Sequence, residues 1–173
     1  RIREVPIVKK NKIVGVISAK KIMKALSNKD NRWIKANLIY TQNPIMISSN
    51  ESLNNARKIM TSKRLDHLPV IYQGKVKQVL TSAHILEYIL PRESQGRRSR
   101  GITTIHKLES RIGNIGSTRI PQCTTNDDLN TIVNTMLKAN ATCCLVSLWR
   151  NIQGIITMRD ILNLLASKIE TPI

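Results

Sequence analysis

The side chains able to do chemistry are few and scattered. His67, His84 and His106 stand apart, with no cysteine or carboxylate at metal-ligand spacing, which disfavours a metal site. Cys143 and Cys144 are adjacent, so in a strand they point to opposite faces and read as buried apolar substitutes rather than ligands. There is no nucleophile elbow, no Walker-type glycine loop and no motif of paired carboxylates, and only 11 acidic residues in all. Catalysis therefore lacks candidates. What remains is the run Gly154-Ile155-Ile156-Thr157-Met158-Arg159-Asp160, in which a hydroxyl precedes a carboxylate by three residues. On its own that spacing is a helix N-cap, with an acid in the first turn.

The elements that must position this run come from an internal repeat. Leu53, Asn54, Met60, Val70, Thr81, Ile85 and Leu86 recur as Leu129, Asn130, Met136, Val146, Thr157, Ile161 and Leu162, all at an offset of 76 without a gap. A shorter copy precedes them at offset 63. Val5-Pro6-Ile7-Val8, Ile13 to Ser18, and Ile22-Met23 match Leu68-Pro69-Val70-Ile71, Val76 to Thr81, and Ile85-Leu86. Each complete copy reads as strand, helix, strand, strand, helix. A short extended piece (Pro44 to Ser48, Ile120 to Thr124) leads to a helix with an apolar face of Leu53, Ala56, Ile59 and Met60, or Leu129, Ile132, Val133 and Met136. Ser48 to Glu51 and Thr124 to Asp127 offer caps for those helices. Two apolar runs joined by a polar turn follow, Leu68 to Tyr72 with Val76 to Leu80, and Cys143 to Leu148 with Ile152 to Ile156. A closing helix presents Ile85, Leu86, Ile89 and Leu90, or Ile161, Leu162, Leu164, Leu165 and Ile169. A unit of roughly 55 residues buries little surface alone, so copies are expected to pair sheet against sheet.

The resulting organisation is a half-copy at 1–26, a linker at 27–35, a complete unit at 36–91, a basic linker at 92–111 and a second complete unit at 112–170. The half-copy matches only the second part of a unit, from which an earlier copy or an effector ahead of it is expected. Lys and Arg outnumber Asp and Glu by 28 to 11, a formal charge of +17 that attracts polyanions such as nucleotides, nucleic acid or anionic lipid, or that simply solvates helix faces. Arg92, Arg97, Arg98, Arg100, Lys107 and Arg111 concentrate part of it in the basic linker. With 41% hydrophobic residues, 3% aromatics and no Phe, the core must be aliphatic. No window supplies the ~18 apolar residues a membrane span needs. Three cysteines and no apolar signal core point to a reducing, cytoplasmic setting.

This order of elements resembles the CBS domain family, with the joints Ile112-Gly113-Asn114-Ile115, Leu68-Pro69-Val70-Ile71 and Gly154 to Asp160 carrying the likeness. The resemblance covers most of the chain. It implies an α/β (α+β) fold of tandem β-α-β-β-α repeats paired through their sheets, acting as a non-catalytic regulatory module with an adenine nucleotide as regulatory ligand and no other cofactor. It further implies that Thr157 and Asp160 hold ribose hydroxyls, that Arg159 beside a helix N-terminus meets a phosphate, and that Gly154 belongs to the same motif. The adenine would lie between the strand near Ile120 and the segment Thr142-Cys143-Cys144. In the half-copy Gly15 and Ser18 are present but Lys21 replaces the acid. In the middle copy Gln78 replaces the glycine and His84 the acid. Lys21 and His84 are cations suited to phosphate rather than to a sugar, so one intact site is expected.

Three functions compete. An adenine-nucleotide sensor would signal to an effector domain or protein through its differential affinity for two states. A basic nucleic-acid-associated module would rest on charge, although no exposed aromatics for stacking are expected. A structural module would only dimerise, as the resemblance implies through CBS pairs.

Overall fold

The structure, a computed structural model, describes residues 4–90, 104–113, 115–149 and 151–169. In chain order its elements are β1 (Glu4–Lys9), β2 (Lys12–Ser18), α1 (Ala19–Ser27), a 3-10 turn (Ala36–Leu38), β3 (Thr41–Gln42), β4 (Ile47–Ser48), α2 (Leu53–Ser62), β5 (His67–Tyr72), β6 (Lys75–Thr81), α3 (Ser82–Ile89), α4 (Thr104–Glu109), β7 (Gln122–Thr124), α5 (Leu129–Lys138), β8 (Cys143–Leu148), β9 (Asn151–Thr157) and α6 (Met158–Ile169). The architecture is the expected mixed α/β repeat of strand, helix, strand, strand, helix.

Two compact units form, one of Arg1–Asn43 with Pro121–Ile173 and one of Pro44–Ile120. In the first, a sheet of order β3-β9-β8-β7 pairs β7 parallel to β8 and the other neighbours antiparallel. Its core joins Leu129, Ile132, Val133, Met136, Val146, Ile156 and Ile161 to Met23 and Leu26 of α1. The second unit has a β4-β5-β6 sheet with β4 parallel to β5, over a core of Leu53, Ala56, Met60, Leu68, Val70, Leu80, Ile85 and Ile112. Each parallel pair is bridged by a helix, as a parallel connection requires.

The peptide leading into one repeat completes the body of the other. In the first unit Leu129 N–H donates to Ile34 O at 2.8 Å, Ala36 N–H to Asp127 O at 2.8 Å and Asn37 N–H to Thr125 O at 3.1 Å. In the second unit, 76 residues displaced, Leu53 N–H donates to Ser110 O at 2.9 Å, Ile112 N–H to Glu51 O at 2.9 Å and Gly113 N–H to Ser49 O at 3.2 Å. Thr41 pairs with Ile155 on the sheet edge, and Ser117 bridges Val79 in the same register. The orphan groups at the start of α2 and α5 are thus satisfied by chain that the repeat does not itself contain. The repeated asparagine serves the same end. Asn130 accepts from Asn31 N–H at 2.8 Å and donates to Lys29 O at 2.7 Å, while Asn54 donates to Glu109 at 3.1 Å.

Several expectations change. The helix caps are Ser52 and Asp128, one residue beyond the stretches read for them, because the chain stays extended to the residue before each apolar face. The stretch read as linker contains α4, whose Leu108 packs on the second core while Lys107 Nζ caps the Ile89 carbonyl at 3.2 Å. Arg92, Arg97, Arg98 and Arg100 lie outside the described residues. Only Ile85 of the apolar face read for α3 is buried, with Leu86 at 53% and Leu90 at 58% exposure. No helix among the described residues is long and apolar enough to cross a membrane.

The Asp128 cap has a pH consequence. Its carboxylate accepts from Thr131 N–H at 2.8 Å, and that bond, ahead of the weaker attraction of Lys35 and Arg32, holds it below the usual carboxylate range. The contribution is present above the unfolded value of about 4 and is lost as pH falls through the lowered folded one. Asp128→Ser keeps a capping oxygen that does not titrate. Urea midpoints at about pH 6 and about pH 3 should therefore fall less in that variant than in the native chain.

Candidate functional site

The candidate site is the junction where β9 ends at Thr157 and α6 begins at Met158. Three N–H groups at this turn are accounted for. Met158 N–H donates to Thr142 O at 3.1 Å, Asp160 N–H to Thr157 Oγ1 at 3.4 Å, and Thr157 N–H to Asp160 Oδ2 at 2.7 Å. The Thr157 hydroxyl also donates to Oδ2 at 2.7 Å. This is a capping box in which the acid serves the cap residue twice through one oxygen. Oδ1 of Asp160 takes part in none of these bonds, and both side chains are half-buried. A carboxylate oxygen outside the cap can accept from a hydroxyl or diol.

The same junction occurs three times, with the cap hydroxyl kept and its partner changed. Ser18, Thr81 and Thr157 accept from Lys21, His84 and Asp160 N–H at 3.3, 3.3 and 3.4 Å. The return bond depends on what the third residue can accept. At His84 it forms at 3.2 Å, with Nδ1 accepting from Thr81 N–H. The His84 ring thus closes a capping box with Thr81. Lys21 has no acceptor, and its ammonium donates to Val16 O at 2.7 Å.

The glycine of the run is accounted for by packing. A Cβ on Gly154 would lie 2.8 Å from Tyr40 Cε2 and 2.5 Å from the Thr41 carbonyl oxygen. The space on this face of Gly154 is therefore held by Tyr40 and Thr41. The equivalent pair in the second unit reverses the sizes. Gly116 sits at the position of Tyr40, with Val79 O 2.8 Å from any Cβ, and Gln78 stands at the position of Gly154. Gln78, 3% exposed, donates through Nε2 to Gly113 O and accepts at Oε1 from Gly116 N–H at 3.2 Å.

The remaining residues expected at the site differ in surroundings. Arg159 and Thr142 are exposed, and Ile120 is half-buried at the end of the second unit. Cys144 is fully buried in the first core, so its thiol is a core group, and its strand is an interior one in which it pairs with Ile156. A hydrogen bond with Cys123, then burial, raises the Cys144 thiol, and burial pushes Cys143 up to about 12. Both stay protonated and unreactive at neutral pH. Among the described residues no three His, Cys, Asp or Glu side chains gather as a metal site. Sequence reasoning missed Tyr40 and the partners of Asn130, and it missed that Trp33 and Trp149 are 64% and 88% exposed, which overturns the expected lack of surface aromatics.

A family model for the CBS domain matches residues 1–28, 36–91 and 112–167. An uncharacterized 33.4 kDa protein in the ribosomal RNA operon of Thermofilum pendens is 22% identical over 152 residues, covering 88% of this chain. The chain spans 50% of that relative's length. Among solved structures, protein MJ1225 of Methanocaldococcus jannaschii, proposed to be an archaeal homolog of g-AMPK, aligns with a TM-score of 0.78 at 20% identity, covering 95% of this chain and 59% of that one. The CBS domain pair of protein MJ0100, solved with 5'-methylthioadenosine and S-adenosyl-L-methionine, aligns at 0.61 with 23% identity, covering 78% of this chain and 97% of that one.

The Gly154 geometry makes a specific prediction. Gly154→Ala forces apart Tyr40 and the β3 backbone and should cost about 1–3 kcal/mol or more, read from urea unfolding. Adding Tyr40→Gly should recover only part of the loss, because the Thr41 carbonyl remains.

Proposed function

The chain belongs to the CBS domain family, and on that premise we propose that it is a non-catalytic regulatory module binding an adenosine-containing ligand at the Thr157–Asp160 junction. The observation that carries this reading is the difference among the three junctions. All have the cap hydroxyl, but only Asp160 adds a carboxylate with an oxygen outside the cap. A ribose diol is a pair of donors, and neither an ammonium nor an imidazole whose Nδ1 serves the cap offers it a free acceptor. The exposed Arg159 beside the helix start suits a phosphate only as a secondary contact, since an exposed ion pair contributes little. Binding regulates by favouring whichever state of the molecule holds the ligand more tightly, and the effector and homodimer expected of the module would register that shift.

A second reading, a nucleic-acid-associated surface, is favoured by Trp149. It sits at the β8–β9 hairpin turn with φ of 50° and 88% exposure, where the equivalent turns carry Lys10 and Gln73. A bulky residue at positive φ is unfavourable, and an exposed indole on a chain of +17 is a stacking platform within a basic field.

The two readings separate in one set of titrations. AMP, ADP, ATP and S-adenosylmethionine are compared by thermal shift, and a random single-stranded oligonucleotide is titrated at two salt concentrations. Asp160→Asn keeps one oxygen for the cap and turns the other position into a donor, so the expected result is loss of the nucleoside shift with the unliganded melting point nearly retained. Unchanged nucleoside binding in Asp160→Asn, or no shift with any member of the panel, overturns the first reading. Salt-dependent oligonucleotide binding that weakens in Trp149→Ala supports the second.

A further inference from the structure

Helices α2 and α5 occupy the same place in the two complete repeats, so each serves as a control for the other. Positions that packing requires agree, since Leu53 and Leu129 are buried, as are Met60 and Met136. The outer positions do not. In the first unit α1 packs on α5, and Val133 and Leu137 lie against the core that holds Met23 and Leu26. In the second unit the same two positions are Arg57 and Thr61, both exposed. Residues 57–64 carry four cations, Arg57, Lys58, Lys63 and Arg64, and no acid, where residues 133–140 carry Lys138 alone. Glu51 and Glu109 bond α2 toward its other end, accepting from Asn55 at 2.9 Å and from Asn54 at 3.1 Å, and Arg57 donates to Asn54 Oδ1 at 3.1 Å. Helix polarity favours cations at Lys63, the C-cap, and at Arg64 beyond it, but it gives no reason for Arg57 and Lys58 in the middle of the helix.

We propose that this face of α2 is a docking surface for the phosphate backbone of duplex nucleic acid. It goes beyond the stacking reading, which places a single strand at Trp149 in the first unit, by assigning a separate contact to the second unit and to charge alone. The cations at 57–58 and those at 63–64 stand about 9 Å apart along the helix. A duplex presents one charge per about 1.7 Å of its axis, so the stretch passes several phosphates. Thr61 lies between the two groups, with an exposed hydroxyl able to donate to a phosphate oxygen. A lipid surface fits less well, because the exposed side chains from 57 to 64 are all polar and none could insert among acyl chains. An acidic peptide fits less well too, because a helix exterior offers charge without the groove that orders a peptide's side chains.

The test titrates the full chain with a random-sequence duplex oligonucleotide, read by fluorescence anisotropy at several salt concentrations. A variant with Arg57→Gln and Lys58→Gln is compared with one carrying Lys9→Gln and Lys12→Gln, which removes the same charge from exposed positions of the β1–β2 hairpin, and thermal melting checks that both fold. In the α2 variant affinity should weaken about tenfold or more at about 50 mM salt, and the slope of log affinity against log salt should become shallower by about 2, at about 0.9 per lost phosphate contact. The control should keep the native slope, and Lys58→Glu alone should weaken binding in the same sense as the double change. Equal losses in the two double variants overturn the proposal, since net charge would then be the cause, as does an absence of duplex binding by the native chain at low salt. Displacement of the duplex by polyglutamate at equal charge concentration also overturns it, because the surface would then accept any polyanion. Bases in a duplex are already stacked on one another, so failure here leaves Trp149 to be judged by the single-stranded titration, and failure there leaves this contact standing.

Discussion

A helix cannot satisfy its first amide groups from within, and a short sheet cannot close its own edges. In this chain both deficits are met by the same device. Residues 34–42 bond to the start of α5 and then to β9, and residues 110–117 bond to the start of α2 and then to β6. The hydrogen bonds recur at the same offset as the sequence identities, within a few tenths of an ångström of one another. Unmet, each such group would face the desolvation of a buried amide or carbonyl, which is about 1–3 kcal/mol. The compact units therefore do not coincide with the repeats in sequence, because each is one repeat's body closed by the other's lead-in.

Legibility in the sequence followed how local the cause was. The faces of α2 and α5 were readable because a helix buries every third and fourth residue whatever covers it, and Leu53, Ala56, Met60 and their counterparts are buried. The face of α3 was not, because Leu86 and Leu90 are apolar by type while their burial depends on what packs there. The caps were misplaced by one residue since several Ser, Thr and Asp side chains adjoin each helix start, and Ser48 and Asp127 instead hold the preceding turn through Asn50 and Thr124 N–H. The repeated asparagine was visible as an identity, yet its partners, Asn31 and Glu109, lie about 100 and 55 residues away and leave no local trace. Helix α4 was obscured by the polar, arginine-rich composition around it.

At the candidate site the sequence revealed the residues but not their obligations. The hydroxyl-to-acid spacing identified Thr157 and Asp160, and the structure shows that pair engaged with itself. Gly154 invited a ligand-based explanation, although the contact that demands a glycine comes from Tyr40, over 100 residues earlier. A one-dimensional pattern cannot distinguish a glycine kept for a ligand from one kept for a neighbouring ring, because both require only the missing Cβ.

The repeat symmetry is broken in two places, and the breaks bear on each other. On the sheet edge, bulk moves across the pair: Tyr40 faces Gly154 in one unit, and Gly116 faces Gln78 in the other. A lead-in carrying Tyr40 would meet the Gln78 side chain if it were docked on the wrong sheet, whereas Gly116 over Gly154 would leave a void, so shape discriminates between the two assignments by both a clash and a cavity. At the strand-to-helix junction, the cap hydroxyl already satisfies one amide in every copy, which frees the third residue to vary among Lys21, His84 and Asp160 without losing the helix. The first break fixes which segments come together; the second makes the junctions chemically unequal. A symmetric duplicate would have offered equivalent junctions, while this chain has one carboxylate, one imidazole and one ammonium at the same backbone position, and the carboxylate belongs to the unit that Tyr40 closes.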